Sequence, residues 1–195
     1  MVLAPDARVR QWQERFGDEL AAAAAARDES VAWWSAAGED GFLEQRADWS
    51  SVTEAGQRFA DLSFGMASEE MSHEVMWAAE AAGESGRFVE SIRKGGPASA
   101  LYFALGPADA ARLPGCFGEF LLTADEVELA LPDAERVLGV VGARRSELIE
   151  RMGRWLEGAA DEPRFDVESL LDGPLDLFRK AAADRLGVVA ATICL

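Results

Sequence analysis

Histidine occurs once in the 195 residues, at His73, and lysine only twice, at Lys94 and Lys180. Cysteine also occurs twice, at Cys116 and Cys194. Each scarcity removes a class of chemistry. A zinc site needs several Cys or His ligands, and this chain has too few. A Ser-His-Asp or Cys-His constellation would have to use His73 as its base. Two cysteines this far apart show no paired spacing, so reduced thiols are expected. No apolar run approaches the ~18 residues that a membrane span requires, and the opening MVLAPDARVRQWQERF has no apolar signal core. A cytoplasmic protein without a membrane segment is therefore expected. There is no Gly-x-x-x-x-Gly-Lys-Ser/Thr loop, no Gly-x-Gly-x-x-Gly after a strand, no EF-hand spacing and no internal repeat. No cofactor is expected.

Positive charge is the other shortage. The 35 acids outnumber the 19 bases, the net charge is −16, and the pI is near 4.4. Both halves of the chain share the excess, so it belongs to the whole surface rather than to a tail. Such a field repels phosphate backbones, which argues against nucleic-acid binding, and attracts a basic protein. Acidity that serves only solubility is the plainer alternative. With 49% apolar residues and ordinary aromatic content, the composition is that of a globular domain.

The chain is expected to form one domain, residues 1–195, with a helical first half (1–95) packed on a mixed second half (96–195). Asp6 precedes a helix to about Arg27, striped by Val9, Trp12, Phe16 and Leu20. A short helix follows with Val31, Trp33 and Trp34, then a loop at AAGEDG. Ser51 to about Ser63 reads as another helix. Ser68 reads as an N-cap, with Glu69 and Glu70 in the first turn of a helix that fades near Gly83. Arg87–Arg93 suggests a turn or short helix. KGGPAS then breaks the pattern.

In the second half, ALYFALG (100–106) is a short apolar run bounded by Gly and Pro, which suits a buried strand. Gly118–Leu122 suits a second strand. Thr123-Ala-Asp-Glu126 is a capping box opening a helix that Pro132 should kink or restart. Arg144–Leu156 is amphipathic. Pro174 is expected to open a last helix at its favoured first position, with Gly187 as its cap. The terminal VVAATICL (187–195 with its preceding glycine) reads as a strand beside ALYFALG. The expected class is α+β, predominantly helical, with a small sheet.

The order PASALYFALG, FLLTADEV and LFRKAAADRLGVVAAT resembles the YfbM-like bacterial proteins, a family of unknown function. The matching positions are Pro97, Ser99, Ala100, Leu122, Thr123, Glu126, Val127, Phe178, Ala181, Ala182, Val188 and Val189, within residues ~96–195. The resemblance implies an α+β fold and no known reaction.

The candidate chemistry lies in a few places. Cys116 sits in a glycine-flanked turn that could expose a thiol, but nothing nearby in sequence would lower its pKa. Ser91-Ile-Arg-Lys94 matches Ser-x-x-Lys without its companion motifs. Glu69, Glu70, Glu74, Glu80, Asp161, Glu162 and Asp166 supply carboxylates for acid–base work, or simply solvated faces. Trp33, Trp34 and Trp49 form an aromatic group that either packs in a core or meets a partner, with Arg46 able to stack on a ring. Glu70-x-x-His73 is half of a carboxylate-bridged di-metal motif, but a second histidine does not exist, so no metal is expected. At 100° per residue His73 lies within ~40° of Glu69, Trp77 and Glu80, opposite the inward face. The partner-binding candidates are therefore Trp33, Trp34, Arg46, Trp49, Glu69, His73, Trp77 and Glu80.

Three functional classes follow. The first is a non-catalytic acidic protein that binds a basic partner, in the manner of immunity proteins and antitoxins. The second is a small enzyme or small-molecule binder using carboxylates, Arg and Trp between the helical half and the sheet. The third is a module that buries its aromatic helices against another copy.

Overall fold

The computed structural model describes residues 1–47, 68–91, 96–115, 118–158 and 166–192. The expected helix at 51–63, Trp49, Cys116, Cys194, Asp161 and Glu162 lie outside these residues, as do the last three residues of Ser-Ile-Arg-Lys.

The fold is α+β and mostly helical, built on one small antiparallel sheet. Strand β1 (Val2–Ala4) precedes helix α1 (Asp6–Ala47). Helix α2 (Glu69–Ala82) ends in a short 3-10 turn, Glu84–Gly86. Helices α3 (Pro97–Leu105) and α4 (Pro107–Ala110) lead to β2 (Phe120–Leu122). Helices α5 (Ala124–Leu138), α6 (Gly142–Gly158) and α7 (Ser169–Asp184) lead to β3 (Gly187–Ala190).

The strand order is β1-β3-β2. Val2 pairs with Val189 on one side, and Phe120 pairs with Ala190 on the other. All four residues of β3 are buried, because helices cover both faces of the sheet. Alternation along the strand assigns its side chains to two cores. Val189 joins Val2, Ala4 and Leu121 in a core with Val9, Trp12 and Phe16 of α1 and Met71, Val75 and Ala79 of α2. Val188 and Ala190 face the larger core, with Phe120, the α3 run, and residues of α5, α6 and α7. The first and second halves therefore interleave: each core draws on both sides of residue 95.

Several elements form as their sequences dictate. Thr123 and Glu126 make the reciprocal capping box. Strand β2 lies within the expected 118–122, and α6 contains the expected 144–156. Ser68 caps α2, with Oγ accepting from Met71 N at 3.3 Å.

Other elements correct the sequence reading. ALYFALG is helical, not a strand: α3 starts with Pro97 at its first position, after Gly96 at φ 65°, and its residues from Ser99 to Leu105 are buried. Burial on every side removes the polar periodicity that would distinguish helix from strand. The α3 carbonyls are met by arginines of α6, with Arg151 donating to Phe103 O at 3.0 Å and Arg144 to Leu105 O at 3.4 Å. Strand β3 accordingly lies beside β1 and β2 rather than beside ALYFALG.

Helix α1 runs on to Ala47 through the expected break and the AAGEDG loop. A helical glycine costs only about 1 kcal/mol. Helix α5 continues through Pro132, whose ring is exposed along with the side chain of Glu128 four residues earlier. Water can reach the carbonyl that the proline leaves unbonded. Pro174 lies inside α7, not at its start, and the adjacent Gly173 leaves room for the Phe88 ring: a Cβ there would sit 2.1 Å from it. The cap of α7 is Arg185 at φ 54°, not Gly187. Residues 87–91 form no helix; Arg87 bridges to Val2 instead. Strand β1 has only three residues and was too short to show a pattern.

Gly187 starts β3 where backbone and helix crowd together. An added Cβ would meet Leu122 O at 2.4 Å and Val9 Cγ2 at 2.6 Å. Gly187→Ala is expected to destabilise the protein by about 1–3 kcal/mol. Gly153→Ala, in α6 with nothing within 4 Å of the new methyl, is expected to stabilise it by about 0.5–1 kcal/mol. Urea unfolding of the two variants beside the parent measures both.

Candidate functional site

Helix α2 carries three kinds of surface. Its inner face, Met71, Val75 and Ala79, is held by the core shared with β1 and α1. Apolar burial of this kind contributes about 25 cal/mol per Å² and fixes the helix rotation.

Its flank carries an ion-pair cluster with α1. The carboxylate of Glu74 accepts from Arg8 Nη2 at 2.5 Å, Trp12 Nε1 at 3.2 Å and Arg15 Nη1 at 3.1 Å. Arg15 also pairs with Glu70, and Ser68 N donates to Glu19 at the start of the helix. Arg8 lies over the Trp12 ring at 4.8 Å, and Arg15 over Phe16 at 4.9 Å. The hydrogen bond from Trp12, followed by the charges of Arg8 and Arg15, holds the Glu74 carboxyl below its ordinary pKa, against the opposing effect of burial. Both arginines are nearly half exposed, so solvent screens these pairs and each contributes little. The Trp12 bond matters more, because the Trp12 side chain is buried and losing its acceptor leaves an orphan donor, at about 1–3 kcal/mol.

The outer face holds His73, Trp77, Glu69 and Glu80, all exposed. His73 stacks on Trp77 with ring centroids 5.9 Å apart and planes at 23°. Trp77 nevertheless keeps 58% of its surface exposed, against 2% for Trp12. Among the described residues, Glu69, Glu80 and the nearby Glu84 make no ion pair, in contrast to Glu70 and Glu74. Four of the eight partner-binding candidates therefore lie together on one helix face, where the 3.6-residue period placed them.

The other four do not join them there. Trp34 is 2% exposed and packs in the larger core, so it presents no ring to a partner. Trp33 and Arg46 lie in α1, with side chains outside the described residues, as is all of Trp49. Among the carboxylates, Asp166 accepts from Glu168 N at 3.0 Å in the turn before α7. Arg145 of α6 clamps that turn through Glu168 at 2.6 Å and Asp172 at 2.8 Å. Among the described residues, no group of three or more His, Cys, Asp or Glu side chains is placed to hold a metal ion. None of their helices is long and apolar enough to cross a membrane. No family model, curated protein or solved structure matches the chain.

The sequence reading missed the Arg8–Trp12–Arg15 stripe. Its i, i+4, i+7 spacing places three hydrogen-bond donors on one flank of α1, a signal that the apolar positions of the same helix obscured.

Glu74 releases its proton more readily in the folded chain than in the unfolded one. Its contribution is therefore complete above the ordinary glutamate value of about 4.3 and is lost as pH falls through the lower folded value. Glu74→Gln is expected to flatten the acid limb of stability against pH in that window. Glu74→Ala should in addition destabilise the protein at neutral pH by about 1–3 kcal/mol. Thermal melts over an acid pH series separate the two effects.

Proposed function

We propose that the protein is a non-catalytic, acidic, cytoplasmic protein that binds a basic partner protein, in the manner of an immunity protein or antitoxin. The observation that carries this reading is the outer face of α2, where a large indole stays exposed among carboxylates that no cation of the described chain neutralises. Tryptophan is enriched among residues that anchor protein interfaces. The net charge of −16 supports the same reading, since it would accelerate the approach of a cationic protein.

The natural partner to test is a cationic protein encoded beside this one. Association is expected to be tight at low salt and to weaken steadily as salt is added. Reversing charge at two positions, Glu80→Lys with Glu84→Lys, both exposed and away from the N-terminal turn of α2, is expected to slow association by about tenfold or more while leaving the melting temperature nearly unchanged. Stopped-flow or biosensor kinetics across a salt series measure this. Association that is insensitive to salt and to the double variant would reject the proposed face.

A further inference from the structure

We infer that Trp77 is the anchor of this face and seats an arginine side chain from a basic helical segment of the partner. The inference rests on the proposed reading of α2 as the docking face. It is argued from an arrangement that the chain already uses internally. On the flank of α2, an indole and a carboxylate hold an arginine between them: Arg8 lies 4.8 Å over Trp12 and pairs with Glu74 at 2.5 Å. On the outer face, Trp77 and Glu80 offer the same two groups. They are neighbours at i, i+3 on one helix surface, and no described arginine of this chain pairs with Glu80.

The stacking of His73 orients the indole, leaving 58% of the residue exposed. A planar, weakly hydrated guanidinium suits a flat indole beside a carboxylate better than a compact ammonium does. Glu69, His73, Trp77, Glu80 and Glu84 recur about once per turn, so charges spaced along one face of a helix would meet Glu69 or Glu84 when an arginine occupies Trp77. A second copy of this chain is disfavoured as the occupant by charge, since it would bring another −16 to an acidic face.

The test uses the full chain, with its tryptophan indole N–H signals assigned by NMR. The probe is an alanine-based helical peptide with arginines along one face, compared with its citrulline and lysine counterparts. The arginine peptide is expected to shift the Trp77 indole and His73 ring signals most and to leave Trp12 and Trp155, both buried, unmoved. Trp77→Ala should weaken binding by about 3- to 5-fold. The lysine peptide should bind less tightly and the citrulline peptide not at all. If the arginine peptide binds but neither the Trp77 signal nor the Trp77→Ala affinity changes, the anchor is wrong while the basic-partner reading stands. If neither this peptide nor the adjacent-gene cationic protein binds at low salt, the reading itself falls, and the anchor with it.

Discussion

The whole arrangement depends on the burial of β3 on both faces and both edges. Four residues, Gly187–Ala190, bond to β1 on one side and β2 on the other while dividing their side chains between two cores. A strand this short contributes few hydrogen bonds. Its importance lies in position: Val188 and Val189, adjacent in sequence, register the large helical core against the smaller one. Gly187 sets how closely α1 approaches, because any larger residue meets Val9 and the Leu122 carbonyl.

With the sheet fixed, α1 and α2 take their places on one side of it, and the ion-pair cluster around Glu74 sets how the two helices face each other. That cluster uses up the carboxylates of the flank and leaves those of the outer face without charge partners among the described residues. The distinction between structural and available acids on one helix is thus a consequence of which side faces α1. The outer edges of the sheet are also occupied. Met1 and Phe88 exchange backbone bonds of 2.8 and 2.9 Å beside β1, and Gln13 donates to Leu121 O at 2.9 Å beside β2. These bonds leave little of either edge open to strand addition.

The parts legible in the sequence were those governed by local rules. The capping box at Thr123, the N-cap at Ser68 and the amphipathic α6 need only neighbouring residues to form. The outer face of α2 was legible for the same reason, since helical periodicity alone gathers Glu69, His73, Trp77 and Glu80. The parts that were not legible depend on distant contacts. ALYFALG is apolar on all sides because α6 and α7 surround it, and a run without polar positions carries no period. Pro132 and Pro174 sit within helices whose tertiary packing outweighs a local cost of about 3 kcal/mol. Trp34 carries no mark that separates a core ring from an exposed one. The Arg8–Trp12–Arg15 stripe was recognisable only once its acceptors on α2 were in view.

The pairing of β1 with β3 joins Val2 to Val189. During synthesis, the first strand leaves the ribosome long before its partner exists. Residues 187–190 complete both cores: Val189 that of α1 and α2, and Val188 that of the α3-to-α7 helices. Closing the sheet therefore brings together residues 187 positions apart, a long-range contact of the kind that slows folding.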